Sequence, residues 1–298
     1  MIKRTAPQRI FLAFDTVVMV ALCTTILFPY LNVLAVSFNN SMLAVPTGLM
    51  LWPKAPTLSN YKALLADDSI WRAVLITVGR MAIGVGLSLV VTFSAAYGLT
   101  RKNLPFRRAL VMFVFIPSQI YGGLIPVFLL YNSLGLLNNP LVYVLPGGFT
   151  FLYYILFRTY ITTIPESLDE SAKLDGANDF LIMFRIFLPL CLPIIATIAL
   201  FTAVYHWNDW TTTLYFLPNT NDWNTLAFEL QRVLNEQNRL NALMRAAVER
   251  GEVPKQMKNS LESLKYAQII LCSFPILAIY PFLQKYFIRG IMLGGVKE

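Results

Sequence analysis

Six separated apolar runs, each near the length that crosses a bilayer, limit this chain more than any other feature of it. They occupy about 11–37, 73–99, 109–131, 141–161, 189–216 and 266–287, and roughly 20 apolar residues suffice to span a hydrocarbon core about 30 Å thick. Inside lipid, only α-helices or closed barrels satisfy every backbone N–H and C=O. The runs lack the strict alternation that barrel strands need. The chain is therefore expected to be all-α, a polytopic membrane helical bundle with six transmembrane helices forming a single domain over residues 1–298. Composition agrees: 56% of the residues are hydrophobic, and only 24 Lys and Arg and 16 Asp and Glu occur among 298, where a soluble chain has about a quarter of its residues charged.

The net charge of +8 raises the possibility of a nucleic-acid partner. The cations, however, sit in short segments beside the apolar runs, with no aromatic-laced basic face, so no nucleic acid is expected and the charges are read as topogenic. The clusters Lys3, Arg4, Arg9 and Arg101, Lys102, Arg107, Arg108 carry no acids and flank runs closely, which places them in the cytoplasm. An even number of spans then puts both termini on that side of a bacterial cell membrane. The first run is too long for a cleaved signal and reads as a signal anchor.

Several chemistries are excluded. The chain has no Gly-Lys dipeptide, so it lacks the loop G-x-x-x-x-G-K-[ST] that cradles nucleotide phosphates. His206 is the only histidine, which rules out multi-histidine metal sites. Cys23, Cys191 and Cys272 all lie in apolar runs and indicate no disulfide framework. In the second run Gly84, Ser88, Thr92 and Ala96 form a smooth ridge suited to close helix packing.

The informative polar segment is 164–188. Pro165 suits a first helical position, Glu166, Asp169 and Glu170 complement a positive helix end, and Gly176 suits a left-handed turn that stops the helix. Asn178 or Asp179 can cap a second short helix that ends at Pro189. A hairpin with a flat face at Ser171 and Ala172, flanked by acids, fits a groove on a partner protein better than it fits lipid.

This segment resembles the EAA loop of ABC importer permeases, whose pattern is E-A-A, three residues, G, nine residues, I-x-L-P. Glu170, Ala172, Gly176, Ile186, Leu188 and Pro189 match, and Ser171 departs at the first alanine. The Asp175-Gly176-Ala177 variant, Ala95-Ala96-Tyr97 followed by Arg101, Trp207-Asn208 and the Gly290 to Lys297 stretch are similar to the carbohydrate-uptake branch, in particular its maltose-permease-like second subunit. The long segment after the fifth run resembles the oligosaccharide-importer subgroup. The resemblance implies a type I ABC importer permease fold moving carbohydrate, in particular oligosaccharide, into the cytoplasm. It implies that this subunit is not itself an enzyme and holds no cofactor. A second homologous permease subunit, two ATPase subunits holding ATP and Mg, and an extracytoplasmic solute-binding protein would be its partners. Glu170, Ser171, Ala172, Asp175 and Gly176 would then couple to the ATPases. A carrier driven by an ion gradient is the alternative, although no internal repeat of the kind such carriers use is visible.

Sugars bind to aromatic faces and short polar groups, so Tyr121, Tyr153, Tyr154, Trp207, Asn208 and Trp210 are candidates for lining a pathway. Arg80 joins them. A cation within a span costs at least about 2.5 kcal/mol and normally faces protein or water, which leaves three readings: a structural partner such as Asp15, snorkelling toward the outer surface, or a guanidinium fork offered to an acidic sugar. The segment 217–265, with Leu230, Val233 and Leu234 on one helical face, is expected to lie outside the cell over the pathway mouth.

Overall fold

The computed structural model describes residues 6–40, 50–219, 221–249 and 264–278, and they are dominated by helix. In chain order these are α1 (Ala6–Ser37), α2 (Ser59–Leu65), α3 (Asp68–Thr100), α4 (Arg107–Ser118) and α5 (Leu124–Ser133). There follow α6 (Phe151–Ile161), α7 (Glu166–Leu174), α8 (Asp179–Leu190), α9 (Leu192–Asn208), α10 (Thr211–Phe216), α11 (Leu226–Glu249) and α12 (Leu264–Ala278). The described residues fall into two compact units, one drawn from 1–70 and 230–274, the other from 71–229 and 275–298.

By length and composition, two helices among the described residues qualify individually as membrane spans, Ile10–Ser37 and Asp68–Thr100, and the bent pair α8 and α9 makes a third if the pair is one span. The first two match the expected runs. The third run is broken rather than continuous: α4 ends beyond Pro117, and the chain resumes as α5 only after Gly123, whose φ of +85° no branched side chain tolerates well. The fourth is helical only from Phe151, its start being a short 3₁₀ turn over Pro140–Tyr143. The fifth bends by 79° between Leu190 and Leu192. Pro189 and Pro193 flank this bend, and each removes a backbone donor where helical bonding would otherwise continue. Of the sixth run, α12 covers the start, and 279–287 lie outside the described residues.

In the first unit, the end of α1 is pinned by polar contacts. The Asn60 amide donates to the carbonyls of Ser37 and Asn39, both at 2.9 Å, and Ser37 shares a 2.7 Å hydrogen bond with the Tyr61 hydroxyl. Ala35, Val36 and Met50 form a small cluster with Tyr266. The apolar body of α1 is otherwise left unburied by the described residues.

In the second unit the core lies where α3 meets α6, α8 and α9. Phe93, Ala96 and Tyr97 pack with Tyr154, Phe157, Ile182 and Phe187, with Phe93 edge-on to Phe157 at 5.5 Å. The ridge on α3 is buried, with Ser88, Thr92 and Ala96 inaccessible. A Cβ at Gly84 would fall on the His206 ring. Gly84→Ala is accordingly expected to destabilise the bundle by about 1–3 kcal/mol through overpacking, read as a lower melting temperature of the detergent-solubilised protein. Gly86→Ala, where no atom lies within 4 Å of the added Cβ, should leave it unchanged; equal melting of the two variants would contradict the packing.

Candidate functional site: a coupling hairpin and a buried charge network

The segment 164–188 forms two short helices, as its capping residues require. Helix α7 ends in a Schellman turn: the Ala177 N–H donates to the Ala172 carbonyl at 2.9 Å and the Gly176 N–H to the Lys173 carbonyl at 3.0 Å, with Gly176 at φ +82°. Asn178 caps α8 by accepting from the Leu181 N–H at 2.8 Å. Pro165 sits one position earlier than expected, as the N-cap of α7 rather than its first helical residue. Within α8, Met183–Phe187 form a π turn.

Arg101, at the end of α3, organises this hairpin. Its guanidinium pairs with Asp169 at 2.7 Å and reaches Asp179 at 3.7 Å, stacks on the Tyr97 ring at 4.1 Å and lies 5.4 Å from the Phe187 ring centre. Tyr97 adds a bond to the Asp179 carbonyl at 3.1 Å. Lys102 pairs with Glu166 at 2.6 Å, so both helices of the hairpin are tied to the end of α3. Burial alone would raise the Asp169 carboxyl, but the hydrogen bond from Lys173 and the Arg101 guanidinium outweigh it and hold the group below the usual carboxylate range.

What the hairpin leaves outward is both acidic and apolar. Glu170, Ser171, Asp175 and Gly176 are exposed, and beside them stand Leu174 at 89%, Phe180 at 73% and Phe184 at 54% exposure. Ala172 does not share this face. It is buried in the core cluster, because the helix turn that points Ser171 outward turns Ala172 toward the bundle. Glu170 also borders a recess of about 840 Å³ between the hairpin and the 100–107 turn, lined in part by Arg101, Lys102 and Lys173.

The second polar cluster surrounds Arg80, whose partner is Asp209 and not Asp15. The guanidinium donates to the Asp209 carboxylate at 2.7 Å and to its carbonyl at 3.1 Å, with both side chains almost inaccessible. It lies 4.3 Å from the Tyr143 ring centre and 3.4 Å from His206 Nδ1. Asp209 occupies the break between α9 and α10, where its second carboxylate oxygen accepts from the Thr211 N–H and hydroxyl at 3.1 and 2.7 Å and from the Thr212 N–H at 3.2 Å. Tyr143 continues the network, sharing a 2.8 Å bond with Thr213 and donating to the Trp223 carbonyl at 2.6 Å. Thr77 on α3 accepts from the Leu226 N–H at 2.9 Å, fixing the start of α11.

The other pathway candidates are dispersed. Tyr153 stacks on Phe201 at 6.4 Å, and Tyr154 belongs to the core, being 1% exposed. Trp207 borders an apolar recess of about 360 Å³ with Met81, Val85 and Ala203. Asn208 is exposed and donates to the Val204 carbonyl at 3.0 Å, Trp210 precedes α10, and Tyr121 stands 84% exposed in the break between α4 and α5. Sequence reasoning placed Asp169 and Asp179 only at helix ends and not as partners of Arg101, and it missed Asp209. The signal available for the last was that it is the one carboxylate inside the apolar run 189–216, three residues after the sole histidine.

Residues 84–293 match the family described as binding-protein-dependent transport system inner membrane component. The chain belongs to this family. It is therefore a membrane permease component of a binding-protein-dependent transport system, and nothing in the match supports the ion-gradient alternative. Over 269 residues it is 35% identical to the polygalacturonan/rhamnogalacturonan transport system permease protein YtcP of Bacillus subtilis (strain 168), covering 90% of this chain and 92% of that one. Protein LplC of the same organism is 32% identical over 271 residues, 91% of this chain and 89% of that one. Among solved structures, a chain of a bacterial ABC transporter involved in the import of the acidic polysaccharide alginate superposes with a TM-score of 0.83 at 27% identity, over 96% of this chain and 100% of that chain. The fold is that of a type I ABC permease.

Proposed function

We propose that this chain is one permease subunit of an ATP-driven importer for acidic, uronate-containing oligosaccharides. The observation that carries the ATP-driven part is the hairpin: a surface of acids and large apolar side chains, fastened to α3, on a chain without a phosphate-binding loop. Exposed apolar side chains rimmed by charge mark a protein interface. Two ATPase subunits, which would hold ATP and Mg, engage this hairpin and its counterpart on a second, homologous permease, with Glu170, Ser171, Asp175 and Gly176 at the contact. Closure of the ATPases must favour one permease state over the other, since equal affinity for both would shift nothing. The hairpin and both termini then lie in the cytoplasm, and the segment containing α11 meets an extracytoplasmic binding protein.

The substrate class is supported by the relatives, since YtcP is named for polygalacturonan and rhamnogalacturonan and the solved structure for the acidic polysaccharide alginate. Arg80 is not assigned to substrate, because Asp209 already satisfies its charge. The chain co-reconstituted with its partner permease, ATPases and binding protein should hydrolyse ATP faster with oligogalacturonate than with a neutral oligosaccharide of equal length, by about tenfold or more. Equal stimulation by the neutral sugar would overturn the substrate class, and uptake without ATP hydrolysis would overturn the energy source.

A further inference from the structure

At the hairpin end of α3, on the flank where α4 packs against α6, a recess of about 880 Å³ collects three arginines. Arg107 and Arg108 come from the first turn of α4 and Arg158 from the last turn of α6, and Phe106, Val111 and Met112 supply apolar walls. Arg107 donates to the Leu99 carbonyl at 2.8 Å. Among the described residues no carboxylate pairs with any of the three, although the carboxylates Asp169, Asp179 and Glu166 close by are all engaged by Arg101, Lys102 or Lys173. Two of the arginines also stand at the wrong end of their helix. The N-terminus of α4 carries positive partial charge, holds no acidic residue in its first turn and receives no side-chain cap from Phe106. Cations gathered at such a place are stabilised by an anion that the described residues do not provide.

The walls indicate what bears that anion. No residue of α4 is buried, and its apolar side chains continue outward from the recess, Met112 at 55% and Phe113 at 75% exposure. The chain is an inner membrane component, and acyl chains are the surroundings that such exposed apolar side chains suit. We propose that this recess binds an anionic phospholipid, its phosphate held by Arg108 and Arg158 with Arg107 behind them, and its acyl chain laid along Val111 and Met112. Basic recesses between membrane helices take such headgroups in general, and an arginine fork matches phosphate oxygens. The proposal needs only that the chain spans a membrane and does not depend on the transported sugar.

The test is native mass spectrometry of the chain purified with its co-expressed partner subunits and offered equimolar phosphatidylglycerol and phosphatidylcholine of identical acyl chains. The wild type should retain phosphatidylglycerol with a preference on the order of tenfold, and Arg108→Gln/Arg158→Gln should bring retention to parity, while Arg108→Lys/Arg158→Lys keeps most of the preference. If the double glutamine variant is not recovered, Arg158→Gln alone must lower the preference. The proposal is overturned if the wild type retains both lipids equally, if the glutamine variant keeps the preference, or if millimolar inorganic phosphate displaces the lipid, which would mark a site for free phosphate.

Discussion

Asp209→Ala is expected to be the most damaging single substitution in the bundle, with a loss on the order of 3–5 kcal/mol and little folded protein recovered from the membrane. Two costs combine. Arg80 is left as an uncompensated buried cation, since its remaining neighbours, His206 and the Tyr143 ring, carry no negative charge to replace the 2.7 Å pair. The start of α10 also loses its acceptor for the Thr211 and Thr212 N–H groups, typically worth about 1 kcal/mol. Asp209→Asn separates these contributions, because an amide oxygen still caps α10 while the charge is gone. Replacing both partners, Arg80→Met with Asp209→Leu, should cost much less than the sum of the single changes. Thermal melting of the detergent-solubilised complex reads each of these variants. The same set decides what Arg80 does: a structural tie predicts that Arg80→Gln lowers melting temperature and leaves the ratio of acidic to neutral sugar uptake unchanged in whatever protein folds. An Arg80→Gln variant that melts like wild type and loses only its preference for acidic sugars would instead put the guanidinium on the substrate.

Gly176→Val is expected to abolish substrate-stimulated ATP hydrolysis in the reconstituted assembly while membrane insertion and bundle melting stay near wild type. No atom lies within 4 Å of the Cβ that would be added, so the change removes no contact and creates no clash. Its whole effect is on the backbone, where a β-branched residue at φ +82° costs of order 1–3 kcal/mol. The Schellman turn relaxes that strain only by giving up the Ala177 and Gly176 bonds that set the angle between α7 and α8. Gly176→Asn, which tolerates the left-handed region better, should retain a substantial fraction of the stimulated rate. Normal stimulation in the valine variant would show that the angle between the two helices does not matter to coupling.

The two helices of the hairpin were legible because what starts and stops them is local: a proline, an asparagine cap and a glycine stop lie within 14 residues of one another, from Pro165 to Asn178. The two polar clusters were not, because their partners are distant in sequence. Arg101 reads in sequence as one more topogenic cation, and that role is indifferent to direction, so nothing in its neighbourhood points to Asp169. Arg80 stood out by its cost in lipid, yet Asp209 lies within a run whose hydrophobicity hides where the helix will break. The broken third and fourth runs show the same limit from the other side. Hydropathy counts residues that lipid or protein will accept, and Gly122-Gly123 and Pro146-Gly147-Gly148 pass that count while ending the helices. Helix α1 was found by length alone, and length does not tell which surface covers it.

The 79° turn at Cys191 makes α8 and α9 a bell crank. One arm begins at the Asn178 cap in the hairpin. The other, 17 residues long and so about 25 Å by helical rise, ends beside His206 and Asp209. A rod that bends through nearly a right angle does not relay a push along its second arm; it converts it into a sideways sweep, or into rotation about the elbow. Buried Cys191, with no exposed surface, sits at that elbow inside the core, which gives the crank a fixed fulcrum. If the elbow stays rigid, a small thrust on the hairpin would arrive at the far arm as lateral travel, the direction in which helices must move to open or close a gap between them.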